Sequence, residues 1–145
     1  MTAAEDDPAR RYGNLVAPGL DVFDAIADQA FGSLPAAFRE AIGPVAIRVE
    51  DFPDDETLAE MGIEDPFGLL GLYRGVPLTE RSLTQPQAWP DMVFLYRRPL
   101  LDAWAETEGE AAGSTLYELI RHVLIHEIGH HYGFSDEDME RIEAD

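Results

Sequence analysis

The amino-acid sequence predicts an α+β domain. Short β-prone runs alternate with helical stretches, and the longest periodic segment, residues 115–132, reads as one helix near the C-terminal end. The chain has 145 residues, the size of one domain on the usual scale of about 100–200 residues. At 46% hydrophobic residues it has enough apolar surface to build a core without disulfides or metal staples. Residues 1–13, polar with Pro8 and Gly13, read as a disordered acidic N-terminal tail, and residues 14–145 as a single domain without an internal repeat.

Taken in order, residues 21–31 carry Val22, Phe23, Ile26, Ala27 and Ala30 at helical spacing, with Gly32 placed to end the helix. Residues 35–42 repeat the pattern between Pro35 and Gly43. Residues 45–50 alternate as a half-buried strand. Residues 51–66 are acidic, with one helical turn around 57–61. Residues 69–74 form a second strand closed by Gly75, and residues 78–91, with Pro86 and Pro90, a loop. The strongest strand signal is Met92-Val93-Phe94-Leu95-Tyr96-Arg97. Pro99 then opens a short helix through Trp104, and residues 106–114, rich in Glu, Gly and Ala, form an exposed connection.

Charge and composition exclude several function classes. Ten basic residues, all arginine, stand against 29 acidic ones, for a net charge of −19. A field of that sign repels phosphate backbones and anionic membranes, so neither nucleic acid nor membrane is expected as a partner. The absence of cysteine removes disulfides, thiolate zinc fingers, iron–sulfur clusters and a cysteine nucleophile. The acidic start lacks the apolar stretch of a signal peptide, and no run of 18 apolar residues occurs. The expectation is a soluble, cytoplasmic monomer.

At about 100° per residue, the 115–132 helix gathers Leu116, Leu119, Ile120, Val123 and Glu127 on one side, with Glu118, Arg121 and Ile125 opposite. His126 and His130 fall on the margin of that inner stripe, where a cleft floor would lie. All four histidines occur between positions 122 and 131. Within them stands His126-Glu127-Ile128-Gly129-His130, the H-E-x-x-H pattern. Residues four apart are neighbours on one helix face, about 5–6 Å between Cβ atoms, so both imidazoles can meet one zinc ion at about 2.0–2.1 Å.

A catalytic zinc takes a third protein ligand and leaves one position to water. Gly133 stands where a left-handed residue ends a helix, and Phe134 beyond it can pack back on Ile128. The reversed chain brings Asp136 toward the metal. Asp136 also follows Ser135, a natural N-cap for a terminal helix carrying Met139 and Ile142, and the two roles are compatible. Glu127 points about 100° from His126, which makes it a general base acting on water in the open position and not a ligand. The full pattern H-E-x-x-H-x-x-G-x-x-D arises by chance in about one sequence of this composition in ten thousand. His122 continues the spacing but is rotated away from the core, an exposed or cleft-rim residue; His131 faces inward as a hydrogen-bonded structural histidine.

These residues resemble the zincin metallopeptidases, and more narrowly the aspzincin pattern in which Asp follows the glycine. The similarity is closer still to a compact bacterial family of minimal zincins, through His126 to Asp136 together with Leu70-Gly71-Leu72-Tyr73 and Phe94-Leu95-Tyr96-Arg97-Arg98-Pro99. That resemblance covers residues 20–143. It implies a small mixed sheet packed on an active-site helix, an edge strand lining the cleft, His126, His130 and Asp136 on Zn2+, and Glu127 as base. With nine residues after Asp136, no Met-turn or downstream oxyanion-stabilising Tyr or His is expected.

The expected function is a zinc-dependent peptidase acting on a peptide or protein through a zinc-bound water. Its substrate is expected along Phe94, Leu95, Tyr96 and Arg97 as an added strand, with Tyr73, Tyr96, Arg97 or His122 at the oxyanion or the rim. The alternatives are a zinc-binding protein without turnover, whose fourth position His122 would close, and an acidic interaction module.

Overall fold

The computed structural model describes residues 18–75, 91–107 and 115–144. The expected tail at 1–13, the loop at 78–91 except Asp91, and residues 108–114 of the expected exposed connection lie outside the described residues. Among these, the elements in chain order are α1 (Leu20–Gly32), α2 (Ala36–Ile42), β1 (Val45–Glu50), α3 (Asp55–Met61), a 3-10 turn (Pro66–Gly68), β2 (Gly71–Arg74), β3 (Asp91–Tyr96), α4 (Arg97–Thr107), α5 (Leu116–His131) and α6 (Asp136–Ala144). The α+β class holds: six helices accompany a three-stranded mixed sheet of order β1-β3-β2.

β1 runs parallel to β3 along all six residues, from Val45 opposite Asp91 to Glu50 opposite Tyr96. β2 runs antiparallel, with Gly71 opposite Leu95 and Tyr73 opposite Val93. β3 is therefore the central strand, and its backbone is engaged on both sides. This corrects the expectation of a free edge along residues 92–97. The alternation that marks a β-strand is the same for edge and centre; which strands flank it depends on partners distant in sequence.

The pleat sorts β3 by face. Val93 and Leu95 are buried with Phe23, Ile26 and Ala30 of α1 and Ile120, Leu124 and Ile128 of α5. Phe94 and Tyr96 instead line a cavity of about 260 Å³ beside α3. α4 begins at Arg97, two residues before Pro99; a proline in the first turn costs no helical hydrogen bond, since that N–H has no partner in the helix.

The buried face of α5 also differs from the expected one. Tyr117, Leu124, Ile125 and Ile128 are all buried, which centres the face roughly 90° from Leu116 in helical projection. Ile125, placed by the periodicity on the far side, is fully buried. α5 is the middle element, packed by α1, α4, α6 and the sheet, and a helix enclosed on several sides shows only a weak apolar stripe. The stripe left toward solvent holds His122, His126 and His130. At Gly71 the sheet and α5 approach so closely that a Cβ would stand 2.9 Å from Val123 Cγ1 and 3.0 Å from the Phe94 carbonyl oxygen. A side-chain-free residue in β2 thus lets the histidine-bearing helix lie against the sheet.

Candidate metal centre

The ends of α5 are set locally. Thr115 Oγ1 accepts from the Glu118 N–H at 3.1 Å and caps the start. At the other end Gly133 has φ +76°, the Phe134 N–H donates to the Gly129 carbonyl at 2.8 Å, and the Gly133 N–H to the His130 carbonyl at 3.2 Å. Those paired bonds are a Schellman motif. Phe134 leaves the turn to pack on the Phe38 ring, centroids 5.5 Å apart. Ser135 then caps α6: its Oγ accepts from the Asp138 N–H at 3.1 Å, and its own N–H donates to Asp138 Oδ2 at 3.3 Å, a capping box with Asp in the return position. Met139, fully buried, lays its side chain over Gly129. The chain therefore doubles back, and α6 crosses the histidine-bearing helix.

His126 and His130 lie one turn apart with ring centroids 5.8 Å apart. His130 is exposed and His126 partly buried. Burial lowers the pKa of His126, with His122 and His130 acting in the same direction, while Glu143 and Asp136 oppose it. A neutral imidazole is the form that ligates a metal. Asp136 is exposed at the first position of α6, and its charge is felt at His126. Glu127 turns away from that stripe toward β2. Burial pushes its carboxyl above the ordinary value of 4.5, partly offset by the charge of His130 and by the Tyr73 backbone N–H, which it accepts. The Tyr96 N–H donates to the Leu70 carbonyl; antiparallel alternation then turns the peptide groups of Gly71 and Tyr73 outward from the sheet, in keeping with the Tyr73–Glu127 contact.

Among the described residues, the ligand atoms that converge within 4.8 Å of one another belong to His122, His126 and Glu143. Glu143 was not among the residues the motif suggested. One signal points to it: it follows Met139 by four residues and so shares the inner face of α6. His122 was expected at an exposed rim, and its side chain is 51% exposed but turned to the Glu143 carboxylate. His130 and Asp136 do not close with His126 to the same spacing. Both are exposed. Two imidazoles from adjacent turns of α5 and a carboxylate from α6 are a donor set that suits zinc.

The remaining candidates divide. Tyr73 donates from its hydroxyl to Asp91 Oδ2 at 2.6 Å and stacks on His131, ring centroids 3.9 Å apart; burial and that hydrogen bond raise its pKa. His131 thus packs inward as an aromatic partner of the sheet. Leu95 is fully buried, and Phe94 and Tyr96 open onto the cavity shared with Glu50, Asp54, Glu56, Thr57, Glu60 and Arg74. The Tyr96 hydroxyl is pushed up to about 12, first by burial and then by Glu50. Arg97 donates to Asp51 Oδ1 at 2.6 Å and to the Pro18 carbonyl at 3.1 Å, so it fastens the start of α4 and is not presented to a substrate. Reception of a peptide by the backbone of residues 94–97 is thereby corrected: that backbone is inside the sheet and the arginine is engaged.

A helix carrying H-E-x-x-H against the short strand of a mixed sheet defines a metallopeptidase-like architecture. The family described as Zincin-like metallopeptidase matches residues 42–145, and the chain belongs to that family. Membership implies a metal, typically zinc, and the peptidase class of hydrolases with peptide substrates. No curated protein matches the chain. Among the described residues no helix is long and apolar enough to cross a membrane.

Proposed function

We propose that the protein is a zinc-dependent peptidase in which His126, His130 and Asp136 hold the metal and Glu127 is the general base. The observation that carries this reading is the turn after α5. Gly133 in the left-handed region and the Ser135 capping box turn the chain directly from the end of α5 into α6, whose first residue is Asp136. Zinc, when bound, lowers the pKa of water and polarises a carbonyl. Glu127 lies apart from the histidine stripe, on the side of the Tyr73 N–H, and its raised pKa suits a group that takes a proton and returns it to a leaving amine. A peptide is received in extended form beside the outward peptide groups of β2, next to Glu127, and not on β3.

Metal analysis after dialysis tests the ligand set. His126→Ala is expected to lose zinc from protein that remains folded by circular dichroism, and Asp136→Ala to lose hydrolysis of a peptide that the wild type cuts. Zinc fully retained in the first, or wild-type hydrolysis in the second, would overturn the assignment.

A further inference from the structure

His122 precedes His126 by one turn, and the two rings lie 4.1 Å apart, centroid to centroid. Glu143 reaches them from α6. Its Oε1 accepts a hydrogen bond from His122 Nδ1 and stands 3.6 Å from His126 Nε2. Two donors at about 2.0–2.1 Å from one tetrahedral ion are separated by roughly 3.3 Å, so the Glu143–His126 spacing is close to that of a shared ion.

Glu143 is held in this place by more than its own carboxylate. Arg121 donates from Nη1 to the Glu143 carbonyl at 3.0 Å and from Nη2 to the Ile142 carbonyl at 3.3 Å, and its Nε donates to Ser33 Oγ at 3.0 Å. The last turn of α6 is thus tied to α5 by a cation that satisfies its free carbonyls. Met139 anchors the preceding turn beneath it. A groove of about 430 Å³ lined by Glu118, Leu119, Arg121, His122 and Glu143 opens the cluster to solvent.

We propose that His122, His126 and Glu143 form a second metal position that overlaps the first at His126, so that a zinc ion occupies one set or the other. His126 turns its Nε2 to Glu143, and an ion held there removes that ring from the set with His130 and Asp136; in this respect the inference rests on the ligand set proposed above. The consequence for activity follows from direction. Glu127 lies about 140° around the helix from His122, toward β2, so an ion between His122 and Glu143 stands away from the general base of the first position. The second position is therefore a resting place for the metal, in which the protein is loaded but idle.

The test uses the full chain and zinc alone, followed by metal analysis after dialysis and by calorimetric titration. His130→Ala/Asp136→Ala removes two ligands of the first set and leaves the second whole. It is expected to retain one zinc per chain, and adding Glu143→Gln should weaken that binding at least ten-fold. Should the triple variant not fold, His122→Ala in the same background replaces it, since the His122 side chain is largely exposed. A folded His130→Ala/Asp136→Ala protein that binds no zinc, beside a His122→Ala/Glu143→Gln protein that keeps it, would overturn the second position and leave the first intact. The reverse pair of results would sustain the second and overturn the first. Wild type should saturate at one ion per chain; two would overturn the sharing of His126.

Discussion

The Met139 side chain lies across Gly129 so closely that a Cβ on the glycine would stand 2.6 Å from the sulfur and 2.9 Å from Cγ. The glycine inside the H-E-x-x-H segment is therefore the seat of α6. Gly129→Ala gains about 1 kcal/mol in helix propensity but forces the buried Met139 off its rotamer, an overpacking cost of about 1–3 kcal/mol. The expected net effect is a loss of about 1 kcal/mol in urea unfolding. A variant more stable than wild type would show that α6 adapts to the methyl group.

Gly133 allows a second and separable prediction, because no heavy atom lies within 4 Å of the position a Cβ would take. Only its φ of +76° resists substitution. Gly133→Ala is expected to cost about 1–2 kcal/mol through left-handed backbone strain alone. Gly133→Asn should cost less than the alanine variant, because Asn tolerates that region. Equal losses in urea unfolding would trace the effect to something other than the backbone angle.

Much of this architecture was legible in local pattern. β1 spans the predicted 45–50, and Gly133 and Ser135 end one helix and start the next as their residue types require. Each of these depends on neighbours within a few positions. What the pattern left open depends on residues far apart in sequence. The central place of β3 requires β1 and β2 on its two sides. The buried face of α5 was misjudged at Ile125 because helices and sheet enclose α5 on several sides. Glu143 reaches His122 and His126 across 21 and 17 positions, and no motif spacing announces such a contact.

Acid stability offers a third prediction. Asp54 caps α3, its Oδ1 accepting the Thr57 N–H at 2.7 Å. That hydrogen bonding with Thr57 lowers its pKa from the ordinary 3.8. A carboxylate with a depressed folded-state pKa contributes stability that is present above its unfolded value and is lost as pH falls through the folded one. Asp54→Ala should therefore be less stable than wild type at pH 7, with the gap narrowing once the pH drops below about 3.8. Urea midpoints measured from pH 7 to pH 2 check this, and a gap constant over that range would sink the idea.

Glu127→Gln separates chemistry from ligation. The glutamine side chain matches the carboxylate in shape, and its carbonyl oxygen can still accept the Tyr73 N–H, so the local packing of α5 on β2 is retained. It cannot take a proton from water. Hydrolysis is expected to fall by about 10²–10⁴-fold while zinc content stays at the wild-type level. The same change has a signature in the metal-free protein. Burial raises the pKa of Glu127 above 4.5, so its ionised form costs stability at pH values above the unfolded pKa, and below that value both states are protonated and the cost vanishes. The metal-free Gln variant should thus melt higher than metal-free wild type at pH 7, with the difference shrinking as the pH is lowered toward 4.5. Loss of zinc from Glu127→Gln would instead make Glu127 a ligand, and a lower melting temperature at pH 7 would mean that the ionised carboxylate is better satisfied at β2 than its burial implies.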